Sequence, residues 1–163
     1  MAKREETVRI ENKLEKHCQL YRLYGCKEVT IGFHNAGMGN EVVDFILMDS
    51  KGVIKCYEIK VTLEDLKSKA KKSWYGHYNY LVVSKELYEK VEDWSEYLPN
   101  GVGLMCEMSS IKKAKRQNID ASTELMLKES MVRSMFWKMT RLRLRAGILG
   151  SSSAEMKASF EIM

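Results

Sequence analysis

The 163-residue chain has a single proline, four cysteines, three histidines and no long apolar run. So little proline, with only ten glycines, excludes collagen-like and proline-rich low-complexity chains. The longest apolar candidate, residues 42–48, is interrupted by Asp44 and falls far short of the ~20 residues a membrane-spanning helix needs. The opening stretch MAKREETVRI has no apolar core behind its basic residues, so a soluble, cytoplasmic protein without a secretion signal is expected. Cys18, Cys26, Cys56 and Cys106 form no C-x-x-C pair, and no histidine stands at zinc-ligand spacing from them. Reduced, mostly buried thiols are therefore expected in place of disulfides or a zinc site.

What the chain does have is 45% hydrophobic and 30% charged residues, enough for one domain with its own core at this length. Its net charge of +5 is unevenly spread. Between Ile111 and Arg145 ten basic residues face three acidic ones, a net of +7 that leaves the rest of the chain at −2. A basic segment joined to a near-neutral body points to a polyanionic partner.

Apolar residues at three-to-four-residue spacing (Ile10, Leu14, Cys18, Tyr21) predict a helix over 5–24, ended by Gly25. An apolar run over 29–33 precedes a glycine-rich loop, 34–40. Strand-like runs over 42–48 and 53–61 flank the turn Asp49-Ser50-Lys51-Gly52 and predict a hairpin. A helix follows over 64–75 with Thr62 as N-cap, then a strand at 80–83, a helix at 85–91 and a strand at 102–106. A basic linker, 112–118, leads to a long helix over 122–145 that puts Leu125, Val132, Met135, Met139 and Leu142 on one stripe. The expected fold class is α/β: a mixed sheet flanked by helices, with a C-terminal helical extension. The core spans 1–110, the linker and amphipathic helix 111–146, and a loose tail 147–163.

The hairpin carries the chemistry. With Ser50, Lys51 and Gly52 as its loop, paired positions sum to 102, so Asp44 lies opposite Glu58 and Lys60 projects from the same face. Ile46, Met48, Ile54 and Cys56 share that face, while Val43, Phe45, Leu47, Tyr57, Ile59 and Val61 line the other. Two carboxylates side by side in strands apolar on both faces are destabilising without counter-charge. Lys60 offsets one of them, and a divalent cation would offset the rest. Asp44, Glu58 and the Ile59 carbonyl are oxygen donors suited to Mg²⁺ or Mn²⁺. Lys60 is suited to orient water or neutralise charge on a phosphate. The alternative is a charge cluster that merely neutralises itself.

At these residues, Asp44 followed by Glu58-Ile59-Lys60 after thirteen intervening positions, the sequence resembles the PD-(D/E)xK nuclease superfamily with its restriction-endonuclease-like fold. Tyr57-Glu58-Ile59-Lys60-Val61-Thr62 is similar to the pattern in archaeal-type Holliday junction resolvases and MmcB-like DNA repair nucleases. The turn and strand over Leu98-Pro99-Asn100-Gly101-Val102-Gly103-Leu104 is similar to the MmcB-like branch. The resemblance covers about residues 5–106, and Val43 stands where the superfamily commonly has proline. It implies a metal-dependent endonuclease acting on DNA in repair or recombination, of cellular, phage or mobile-element origin. Asp44, Glu58 and Lys60 would be its catalytic residues, and Asp44, Glu58 and Ile59 its metal ligands. An acidic residue on the first helix would touch the metal through water: Glu15 by its spacing, with Glu11 as the alternative.

On this reading Lys67, Lys69, Lys71 and Lys72 border a cleft and contact phosphates. Trp74, Tyr75 and His77 are candidates for stacking on an unpaired base, and the alternative for each is a place in the core. His34 stands in a loop beside the cleft, and Arg133 and Arg141 are placed to meet a nucleic-acid backbone from the C-terminal helix. That helix could also pair two copies of the chain into a homodimer. The rival reading is a non-catalytic DNA-binding or partner-recruiting module that keeps the same fold.

Overall fold

The four-residue recurrence of Ile10, Leu14 and Cys18 sets the first element of the computed structural model, which describes residues 4–32, 41–68 and 74–148. Helix α1 (Glu5–Tyr21) lays these three side chains on a six-stranded sheet. The strands are β1 (Tyr24–Ile31), β2 (Glu41–Met48), β3 (Ile54–Lys60), β4 (Tyr78–Val83), β5 (Gly103–Cys106) and β6 (Ser109–Lys112), and they lie side by side in chain order. The β1–β2, β2–β3 and β5–β6 pairs are antiparallel, whereas β3–β4 and β4–β5 are parallel. Short helices α2 (Leu63–Lys67) and α3 (Lys85–Lys90) make the crossovers, and α4 (Ala121–Arg145) closes the chain. This is the expected α/β class, a mixed sheet flanked by helices with a C-terminal helix. No helix among the described residues is long and apolar enough to cross a membrane.

One face of the sheet buries Phe45, Leu47, Tyr57, Ile59, Val61 and Val82 under α1. The opposite face buries Ile46, Ile54 and Cys56 under Leu127 and Met131 of α4, and further along Leu81 and Val83 under α2 and α3. Cys18, Cys26 and Cys56 are buried free thiols and Cys106 is half-buried and free.

Several local outcomes differ from the sequence reading. Arg22, not Gly25, ends α1: it takes a left-handed φ of 54°, and Leu23 N–H donates to the Cys18 carbonyl. Gly25 belongs to β1, where a Cβ would come within 2.6 Å of Cys18 Sγ, so the glycine lets α1 approach the strand closely. Thr62 does cap α2, its Oγ1 accepting Asp65 N–H at 3.3 Å, but α2 ends at Lys67. There Ser68 Oγ donates to the Asp65 carbonyl and terminates the helix well before residue 75. Residues 109–112, expected as connection and linker, form the edge strand β6, and all four are exposed. Lys112 at such an edge discourages pairing with another sheet.

Glu107, in the β5–β6 turn, binds Arg9 at 2.7 Å and also binds Lys13, tying this hairpin to α1. The hydrogen bond from Lys13, aided by Arg9, holds the Glu107 carboxyl below its ordinary 4.5. A depressed folded pKa stabilises above the unfolded value and loses that contribution as pH falls through the folded one. Glu107→Gln should therefore melt below the wild type at neutral pH. The gap should narrow as pH falls below 4.5 and through the depressed folded value, read as paired melting curves.

Candidate functional site

The β2–β3 hairpin has the register the sequence predicts. Asp49 N–H donates to the Val53 carbonyl, Gly52 turns with φ of 80°, and the pairs from Met48↔Ile54 to Phe45↔Tyr57 all sum to 102. The ladder then stops one step short of Asp44 and Glu58. Asp44 turns its carboxylate across the gap instead, and Oδ2 accepts the Ile59 N–H at 2.7 Å. A residue's N–H and C=O point to the same side of a strand, so the Ile59 carbonyl faces the same opening. Lys60 confirms the alternation, since its carbonyl points the other way and accepts Ser84 N–H at 3.3 Å.

A break shared by two strands sets Asp44 in this position. The β1–β2 ladder keeps one register, Lys27↔Phe45 and then Val29↔Val43, and skips only the facing pair Glu28 and Asp44. Glu28 takes a left-handed φ of 49°. Inward faces change parity across that step: Cys26 and Ile46 on one side, and Val29, Ile31 and Val43 on the other, all enter the same buried cluster. Val43 therefore packs with Ile46, not with Phe45 as simple alternation predicts. Asp44, at the turning point, is left to aim sideways at β3.

Glu58 sits beside this opening at only 4% exposure, flanked on β4 by Leu81 and two positions from Cys56. Burial first, and then the Glu58 charge, push the Cys56 thiol up to about 12. Lys60 is half-buried at the end of β3 and forms no ion pair among the described residues. The structure thus brings Asp44, Glu58, Ile59 and Lys60 to the place where the β2–β3 pairing stops.

The two glutamates of α1 part company. Glu15 is half-exposed and pairs with Lys27 at 3.4 Å. Glu11 is on the buried side at 2% exposure, next to Ile10 and Leu14. Cys18 packs on Gly25, and Glu15 reaches Lys27, which is paired with Phe45. Four helical residues rise ~6 Å, close to two strand residues, so Glu11 lies about level with the Val29–Val43 pair, one step past Asp44. Glu11 and Glu58 each make further polar or electrostatic contacts. Among the described residues no three His, Cys, Asp or Glu side chains form a ready-made metal cluster. The chemistry of the donors present nevertheless suits Mg²⁺, which keeps several waters and needs only one or two carboxylates from the protein.

The remaining candidates scatter. Lys67 is exposed at the end of α2, while His34, Lys69, Lys71 and Lys72 lie outside the described residues. His77 is buried, and its Nδ1 accepts Ile54 N–H at 3.0 Å, so it braces the sheet and has no face for a base. The Tyr75 hydroxyl donates to Glu41 at 2.7 Å. Trp74 borders a pocket of about 260 Å³ with Pro99, Val102, Lys115, Arg116 and Gln117. Sequence reasoning passed over this pocket because its walls come from three separate segments, 74–79, 99–102 and 115–117. Arg133 is engaged within the fold, binding Glu129 at 2.6 Å and the Thr30 carbonyl at 2.9 Å. Arg141 is exposed.

The class defined by this architecture is a mixed six-stranded sheet with the acidic site where β2 and β3 part. A solved structure of that shape is the SPO1766 protein of unknown function from Silicibacter pomeroyi, with a TM-score of 0.60 and 19% identity. The match covers 85% of this chain and 90% of that one, and it speaks for the fold alone. No protein-family model and no curated protein matches the sequence.

Proposed function

We propose that this chain is a divalent-metal-dependent DNA endonuclease of the PD-(D/E)xK, restriction-endonuclease-like kind, using Mg²⁺ or Mn²⁺. The observation that carries the reading is the Asp44 carboxylate held on the Ile59 N–H at a strand break, beside buried Glu58 and uncommitted Lys60. Asp44, Glu58 and the Ile59 carbonyl would hold the ion, and Glu11, in preference to Glu15, would reach it through water. A bound Mg²⁺ supplies charge neutralisation and polarisation of a phosphodiester. The chain's own contribution is orientation. The Ile59 N–H fixes one Asp44 oxygen and leaves the other free. Apolar neighbours strengthen the field around Glu58. Lys60 stands where its ammonium can orient water or balance charge gathering on phosphate oxygens.

A separate observation supports DNA as the partner and keeps the non-catalytic reading alive. Lys112, Lys113, Lys115 and Arg116 run along and just beyond the exposed edge strand with no carboxylate partner among the described residues. Such a row binds phosphates without chemistry.

The deciding experiment offers labelled four-way junctions, flaps, single strands and blunt duplexes to the protein with Mg²⁺, Mn²⁺ or EDTA. Metal-dependent cleavage lost in Asp44→Asn supports the nuclease. Binding that ignores EDTA, with no cleavage of any substrate, supports the module. In either case Lys115→Ala with Arg116→Ala should weaken binding across all sequences and flatten its salt dependence by up to about two units of slope. An unchanged salt slope would remove this edge from the DNA path.

A further inference from the structure

Helix α4 buries one side and leaves an apolar line on the other. Leu127, Ser130 and Met131 are sealed against the sheet. On the opposite side Leu125, Val132, Phe136 and Met139 are 60, 66, 53 and 48% exposed. Leu125, Val132 and Met139 are seven residues apart with Phe136 between the last two, the spacing of a helix-pairing seam. The sequence-derived stripe is therefore real, but only Met135 of its five members packs against the body.

The helix also outruns its support. Besides the apolar packing of Leu127, Met131 and Met135, its hydrogen bonds to β1 are Arg133 to the Thr30 carbonyl and the Lys138 ammonium to the Lys27 and Glu28 carbonyls and the Cys26 sulfur. Beyond Lys138 no hydrogen bond or ion pair ties α4 to the sheet among the described residues. The last two turns extend on the order of 10 Å further at ~1.5 Å per residue. A helical end with no packing surface has little stability of its own.

Charge says what covers the line. From Arg133 to Arg145 the helix carries five basic residues and no acidic one, while its first half carries Glu124 and Glu129 against Lys128. A parallel pair of these helices would stack the two basic halves. An antiparallel pair sets each basic half beside an acidic start and opposes the helix dipoles. We infer that α4 pairs antiparallel with the α4 of a second copy of this chain. Val132 of each copy meets Phe136 of the other, and Leu125 lies along the aliphatic stem of Arg143. The Arg143 guanidinium then comes within reach of Glu129. Such a twofold interface repeats every contact. The inference stands independently of the nuclease reading.

Light scattering on the full chain over a concentration series tests it. The expected mass is about twice 18.9 kDa, falling to 18.9 kDa for Val132→Glu with Phe136→Glu. Far-UV circular dichroism should show that variant still folded, since both positions are exposed, and Leu125→Lys gives an independent disruption. Glu129→Arg or Arg143→Glu alone should weaken association several-fold, and the two together should restore it. A mass of 18.9 kDa at every concentration overturns the proposal, as does a dimer indifferent to Val132→Glu with Phe136→Glu. Failure of the charge swap to restore association overturns the antiparallel arrangement. Stripe variants of a monomeric wild type that lose only DNA binding would assign this face to nucleic acid and overturn it too.

Discussion

On the proposed nuclease reading, Glu58→Gln is expected to cut metal-dependent cleavage sharply while leaving the protein folded. The amide keeps the shape of the side chain and removes the charge that an ion would need at this buried position. Activity should fall on the order of 10²–10³-fold or more, the range seen when a preorganised electrostatic group is removed. Lys60→Ala should lose about 10²–10⁴-fold if its ammonium takes part in proton movement. Binding gives a second readout. Mg²⁺ should raise the melting temperature of the wild type by mass action and leave that of Asp44→Asn with Glu58→Gln unmoved. Cleavage by Glu58→Gln at the wild-type rate would sink the mechanism. A Mg²⁺-induced shift surviving in the double variant would show that the ion sits elsewhere.

Phe45→Ala is the most damaging single core change we expect. Phe45 is fully buried, meets the Tyr57 ring edge-on at 6.3 Å and lies against the Cys18–Gly25 contact that seats α1. Truncating a buried phenylalanine costs about 3–5 kcal/mol, a large part of the ~5–15 kcal/mol that holds a domain together. The melting temperature should drop by roughly 6–20 °C for a chain of this size. Val42→Ala, on the same strand with its side chain exposed, should stay within about 0.5 kcal/mol of the wild type. Equal losses in the two variants would contradict the placement of the core.

The hairpin was legible because local chemistry settles it. Asp49 and Gly52 specify a three-residue loop, and loop length then dictates every pair up to Phe45 and Tyr57. The same arithmetic put Asp44 opposite Glu58 but not across the gap. The break depends on Glu28, which is distant in sequence and has no turn residue to announce it. The burial of Glu11 in place of Glu15 was hidden for a related reason. Chain spacing favoured one, whereas the other faces the sheet because Ile10, Leu14 and Cys18 set the rotation of α1. On α4 two apolar lines compete, and nothing local tells which of Leu127 or Leu125 goes inward. His77 looked like a free aromatic because its partner, the Ile54 N–H, is twenty-three residues away.

The paired break at Glu28 and Asp44 has a consequence for how the chain tolerates insertions and deletions. Each strand carries one surplus residue at the same height, so the two irregularities cancel and both strands leave the step with matching inward faces. Deleting Glu28 alone would give β1 regular alternation with Val29 and Ile31 still inward and leave Asp44 as a lone bulge on β2, and deleting the Asp44 position alone would leave Glu28 as the bulge. Only loss of both restores a regular ladder, and that ladder would have no sideways carboxylate. The step can therefore absorb the loss of one residue from β1 without turning either strand's core face outward, and the carboxylate that aims at β3 survives that loss.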